Sequence, residues 1–306
     1  MDPVLSAVLS SWNWRIEIVV GLGLAAFIYT AGWQRLRNRH SKRIVPPKHP
    51  SRLATEWRLI AYLGGLTLVG LALLSPLDIL GGQLFYMHMI QHLLLVMLAP
   101  PLLLLANPFP FFLWGLPLKL RRGVAGLFKA KSPFRQGLRT LTPPSAVWIT
   151  YTAILLGWHD PNAYNWALRN EWVHDIEHLT FFITAILFWW HVIDNGPHIH
   201  NRLTPMPRLV YLLISVPITM LTGLAIAFSS QPIYTYYTTV PRLWGFSVIE
   251  DQILGGIIMW IPGSMMYIIA ALIVIARLVQ TEANKEPLPE PGWATEKNMI
   301  APGWEK

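Results

Sequence analysis

The chain has no cysteine among its 306 residues. That excludes disulfides, thiolate metal sites, iron–sulfur clusters and cysteine nucleophiles. Any soft-metal chemistry must use histidine and methionine. Charge is also scarce. Only 13% of residues are Asp, Glu, Lys or Arg, against about 25% in soluble domains, too few to wet a globule of this size. A nucleotide-binding loop, an internal repeat and a soluble domain are all missing. What is present is apolar: 53% of the chain, with a mean hydropathy of +0.40. Fifteen Trp, ten Tyr and twelve Phe suit a bilayer, where Trp and Tyr favour the interfaces. A net charge of +8 would suggest nucleic acid in a soluble protein. In a membrane protein its distribution matters more than its sum, and no nucleic-acid partner is expected.

Seven apolar stretches read as transmembrane helices, each near the ~20 residues a bilayer needs. They run approximately over Trp14–Trp33, Trp57–Ser75, Gln83–Leu105, Ala146–Gly157, Val173–Ile193, Leu209–Phe228 and Val248–Arg277. The fourth is the shortest and has a Thr/Pro/Ser lead-in. The first lacks a basic segment before it and a small-residue cleavage site after it, so it is expected to be a retained span rather than a signal peptide. Asn107–Pro117 is short and holds three prolines, which reads as an interfacial or re-entrant piece. The expected architecture is all-α and polytopic. Residues 1–280 form one seven-helix transmembrane domain, and 281–306, rich in Pro and Glu, form a disordered cytoplasmic tail. Gly64-Gly65 and Gly255-Gly256 inside spans are expected to permit close helix contact.

The basic residues orient the bundle. Of the 24 Lys and Arg, all but Arg15, Arg169 and Arg242 fall on one face of this arrangement. The positive-inside rule places that face in the cytoplasm, the N-terminus outside and the C-terminus inside.

Ionisable residues within spans are costly, so each is a functional candidate. Span three carries His88 and His92. Span five opens with His174, Asp175, Glu177 and His178. Asp251 stands near the start of span seven, with Met259 two turns on, and Asp78 precedes span three. Residues four apart lie on one helix face about 6 Å apart, so each His pair can reach one metal ion. Spans three, five and seven run the same way, so these residues share the outer third of the bilayer. Asp175 and Glu177 read as acids favoured by the helix dipole, with Asn170 as the cap. His159 and Asp160 read as a loop pair.

Four imidazoles with an acid, a thioether and no thiolate fit copper best, with zinc the main competitor. Neutral imidazole is the ligand, so binding is expected to weaken as pH falls through about 6. No nucleophile–base–orienter set is present, and the chain is not expected to be an enzyme. A membrane b-type haem protein and a copper or other metal transporter are the alternatives.

Four ordered blocks carry a family resemblance: Ser75-Pro76-Leu77-Asp78; His88 through His92 to Pro100-Pro101; Trp158-His159-Asp160-Pro161 with Tyr164, Arg169-Asn170 and His174 through His178; and Asp251-Gln252 through Gly255-Gly256, Met259 and Pro262-Gly263. Together they resemble the seven-span CtaG-type cytochrome c oxidase assembly factors over roughly residues 14–278. The resemblance implies a bacterial plasma-membrane protein of respiratory-chain biogenesis. It would act as a metallochaperone, delivering or inserting copper into a haem–copper oxidase. The implied partners are the oxidase catalytic subunit and an extracytoplasmic copper carrier. The implied metal-site residues are His88, His92, His174, His178, Asp78 and Asp251, beside which Met259 is a further candidate ligand.

Overall fold

The computed structural model describes residues 10–41 and 53–284. Lys42, Arg43, Lys48 and Arg52, and the expected tail from residue 285 onward, lie outside the described residues. Among the described residues every regular element is helical. In chain order these are α1 (Ile16–Ser41), α2 (Glu56–Leu74), α3 (Pro76–Gly81), α4 (Phe85–Leu93), a π turn (Leu94–Leu98), α5 (Ala99–Leu105), α6 (Pro108–Gly115), α7 (Leu118–Leu127), α8 (Pro133–Leu141), α9 (Pro144–Trp158), α10 (Pro161–Arg169), α11 (Glu171–Ile193), α12 (Pro205–Leu213), α13 (Ser215–Ala227), a 3₁₀ turn (Thr235–Thr238) and α14 (Val248–Ala283).

Six helical runs among the described residues, rather than the seven expected, are long and apolar enough to cross a bilayer. They are Ile16–Asn38, Glu56–Leu74, Phe85–Leu105, Glu171–Ile193, Pro205–Ala227 and Val248–Ala283. The expected fourth span forms α9, which starts at Pro144, two residues before the expected Ala146, and ends at Trp158 after 15 residues. At ~1.5 Å per residue that is about 22 Å, short of a ~30 Å hydrocarbon core. The last helix runs past Arg277, so residues 281–283, placed in the tail by the sequence, belong to α14.

The interior is largely apolar, with buried residues such as Phe85, Phe188, Tyr267 and Leu212, and much of the surface is apolar too. Large apolar side chains point outward, Phe27 and Ile60 each 70% exposed and Leu221 61%. His88, Gln91, Glu177 and Asp251 are fully buried. Exposed apolar area on this scale suits lipid, not water.

Three local features position the interior. Pro100 has no N–H to give the carbonyl four residues back. That carbonyl, on Val96, accepts instead from the Trp189 indole at 2.9 Å, and the π turn lies beside it. Glycines set the approach of α14. A Cβ on Gly256 would lie 2.7 Å from the Gly223 carbonyl oxygen, and one on Gly255 would meet the Phe85 ring at 2.2 Å. The close contact expected of Gly255-Gly256 is thus present; a Cβ on Gly65 would meet Leu103, while Gly64 meets nothing. Third, the fully buried Asp251 carboxylate accepts from the Phe85 and Tyr86 N–H groups at 3.0 and 2.9 Å. It caps the start of α4 and is paired with Arg242 at 2.9 Å. The start of α4 therefore lies level with the first turn of α14. Further along, Gly255 meets Phe85 and Met259 lines a cavity with Met89 and Met97, so the two helices run the same way. The proline-rich 107–117 segment folds as the short helix α6 against α1, where a Cβ on Gly32 would strike the Phe111 carbonyl.

Candidate metal centre

The two His pairs occupy facing helices. His88 and His92 project from α4, and His174 and His178 from the first two turns of α11. Asn170 fixes where α11 begins, its side chain accepting from Trp172 and Val173 N–H at 3.1 and 3.3 Å. Arg15 clamps the same turn through both oxygens of Asp175. Asp175 thus serves as an ion-pair partner.

All four imidazoles converge. Ring centroids lie 4.2 Å apart for His88–His92, 4.1 Å for His174–His178, 5.1 Å for His88–His174 and 5.3 Å for His92–His178. His88 Nε2 faces His174 Nε2 at 3.3 Å. Two ligands of one tetrahedral ion with bonds of about 2.0 Å are separated by about 3.3 Å. Three ligand groups have atoms mutually within 4.8 Å: His88, His92 and His178; Asp78, His174 and His178; and His88, His174 and Glu177. Both His92 nitrogens, His178 Nε2 and both Glu177 oxygens are buried without a hydrogen-bond partner. Buried polar atoms are ordinarily satisfied, so five orphans around one centre call for an occupant.

A chain of two phenols links His88 to a backbone carbonyl. Tyr237 donates to the Gly81 carbonyl at 2.8 Å. That hydroxyl is then free to accept from Tyr164 at 3.3 Å. The Tyr164 hydroxyl and His88 Nδ1 share a hydrogen bond at 2.7 Å, whose direction the His88 tautomer sets. Burial holds the pKa of both phenols well above its ordinary value, so the chain keeps its protons. With His88 protonated on Nδ1, it runs from Nδ1–H to the carbonyl and the Nε2 lone pair faces His174. Outer-sphere partners of this kind orient metal-binding imidazoles.

Asp78 joins the cluster from α3, held by Gln91 Nε2 at 2.8 Å, which also donates to Ala72 C=O. Asp251 does not join: its oxygens are committed to the start of α4 and to Arg242. Met259 lines a cavity that His92 also lines.

Two residues escaped the sequence reading. Glu177, taken as a dipole-favoured acid, is fully buried with its carboxylate 3.7 Å from His92 Nε2. The available signal was its spacing: three residues after His174, it shares that residue's helix face. His159, taken as a loop residue, donates from Nδ1 to Leu155 C=O at 2.7 Å. Its Nε2 is left buried and unpartnered, and burial lowers its pKa. Tyr237 carried no signal at all, since it reaches the site from a loop. His191 and His200 lie at the far end of α11, both bonded to Thr142.

Comparison with known proteins places this geometry in context. Uncharacterised proteins of Mycobacterium bovis and Mycobacterium tuberculosis are each 27% identical over 286 residues, covering 91% of this chain and 40% of theirs. One of Mycobacterium leprae is 26% identical over 285 residues, covering 86% and 39%. The chain thus spans about two fifths of the length of these relatives. No solved structure matches it. Residues 27–281, which take in every helix that supplies the histidine cluster, match the cytochrome c oxidase caa3 assembly factor family, and the chain belongs to that family.

Proposed function

We propose that this chain assists assembly of a haem–copper oxidase by holding one copper ion between α4 and α11 and passing it to the oxidase catalytic subunit. The carrying observation is the convergence of His88, His92, His174 and His178, with the His88 and His174 Nε2 atoms at 3.3 Å and unpartnered nitrogens on His92 and His178. Imidazoles without thiolate suit copper, and zinc is the competitor. Glu177 and Asp78 add negative charge that offsets the cation's desolvation. Copper is cargo in this reading, and the role is binding and transfer, not catalysis. The 3.3 Å approach favours one ion over haem, whose axial nitrogens must stand on opposite faces of an intervening macrocycle.

The same reading gives the topology. Helix α9, with its Thr-Pro-Pro-Ser lead-in, completes a seventh crossing of the bacterial plasma membrane. The basic face then lies in the cytoplasm and the histidine cluster opens outward, where an extracytoplasmic copper carrier can load it.

The test is oxidase composition in cells lacking the gene product. The oxidase should accumulate with its haem but without copper at the catalytic centre. Wild-type chain should restore the copper, and a His88→Ala/His178→Ala chain should not. A fully copper-loaded oxidase in the deletion strain contradicts the reading. Metal flux in vesicles containing the purified chain tests the transporter alternative.

A further inference from the structure

Inward of the histidine cluster lies a cavity of about 50 Å³. Its wall includes Met89 of α4, Met97 of the π turn and Met259 of α14, together with His92 and His159. Because the Asp251 carboxylate accepts from the Phe85 and Tyr86 N–H groups, residues 85 and 251 share a level. At ~1.5 Å per residue, Met259 lies about 12 Å from that level, between Met89 at about 6 Å and Met97 at about 18 Å. The three thioethers therefore bracket one space from two parallel helices.

Packing alone does not explain the arrangement. Methionine is flexible and ordinarily fills the gap it borders; here three border a gap that stays open. The cavity also has a nitrogen donor. His159 gives its Nδ1 proton to Leu155, so the lone pair sits on Nε2, which is buried and unpartnered. His92, whose two nitrogens are likewise unpartnered, forms the wall shared with the histidine cluster. The π turn adds a further sign, as such turns are frequent at functional sites.

We infer that this cavity is a second metal station, specific for a soft monovalent cation of the Cu(I) class, with Met89, Met97 and Met259 as thioether ligands and His159 Nε2 as the nitrogen ligand. Thioethers select Cu(I) over divalent ions. The inference rests on the copper reading above and adds a direction to it: an ion enters at the imidazole and carboxylate groups and moves past His92 to the sulfur-rich station. No change of oxidation state is involved.

The probe is Ag(I), a redox-inert stand-in for Cu(I), titrated into the purified full chain in detergent. Silver-edge X-ray absorption reports the ligands. The wild type should bind two ions, with sulfur scattering from one of them. A Met89→Leu/Met97→Leu/Met259→Leu chain should bind one ion with nitrogen and oxygen scattering only. A His88→Ala/His178→Ala chain should keep the sulfur-bound ion. Selenomethionine labelling of the otherwise unaltered chain guards against misfolding of the Leu variant, since the labelled protein should show silver–selenium scattering. One ion with nitrogen and oxygen ligands alone in the wild type overturns the second station and leaves the histidine site standing. A sulfur-bound ion alone overturns the histidine site and supports the station. Unchanged binding and scattering in the Leu variant, as expected if the cavity holds an apolar molecule, also overturns the station.

Discussion

At the residue scale, the site depends on which nitrogen of His88 carries its proton. Tyr164 shares a hydrogen bond with Nδ1, and Tyr237 and Gly81 complete the chain. Tyr164→Phe removes that partner with little change in volume. Copper affinity should fall by about 10–100-fold, the range for loss of such outer-sphere partners, with helix content unchanged. A competition titration against a copper chelator measures the fall, and unchanged affinity would remove Tyr164 from the site. Most ligand candidates were legible in the sequence, because His-x-x-x-His on a helix fixes a shared face regardless of tertiary detail. Glu177 and His159 were not assigned. Their roles depend on which helix packs opposite them, and a local pattern does not carry that. Tyr237 arrives from a loop with no periodicity to read.

At the element scale, Asp251 shows how a polar residue in a span can be a fastener. The sequence marks it as functional, since a buried acid is costly. The structure places that acid against two N–H groups at the start of α4 and against Arg242. Removing one partner of a buried ion pair costs roughly 3–5 kcal/mol. Asp251→Asn should therefore lower the thermal midpoint in detergent clearly, while copper bound per folded chain stays at the wild-type level. Lost copper binding with unchanged stability would make Asp251 a ligand instead. The same scale explains the π turn. Pro100 was visible in the sequence, but the Trp189 indole that satisfies Val96 comes from 93 positions away. The glycines of α14 were legible as close-contact sites, and Gly255 and Gly256 are so used; their partners were not, because residue size alone does not name the neighbour.

At the scale of the whole molecule, the missing charges and cysteines acquire a common use. Among the described acids, Asp175 and Asp251 fasten helices, and Asp78 and Glu177 stand beside the histidines. Arg15 and Arg242, two of the three basic residues expected from the sequence to lie off the basic face, hold Asp175 and Asp251. The absence of native cysteine makes topology directly measurable. Single cysteines at Lys131 and at Asn165 should be labelled by a membrane-impermeant thiol reagent from opposite sides, Asn165 from outside intact cells and Lys131 only after permeabilisation. Labelling of both from one side would mean that α9 does not cross. Helix placement was largely legible, since long apolar runs announce themselves. The count was not, because the 15 residues of α9 sit at the margin where length alone ceases to decide.

The central claim is that four histidines from two helices form one copper site. The most direct measurement is the copper content of purified chain after exposure to excess copper and removal of the unbound metal. Wild type is compared with a His88→Ala/His92→Ala/His174→Ala/His178→Ala chain of the same helix content. The account predicts that the variant carries one copper ion fewer per chain. Equal copper content in the two proteins would contradict it.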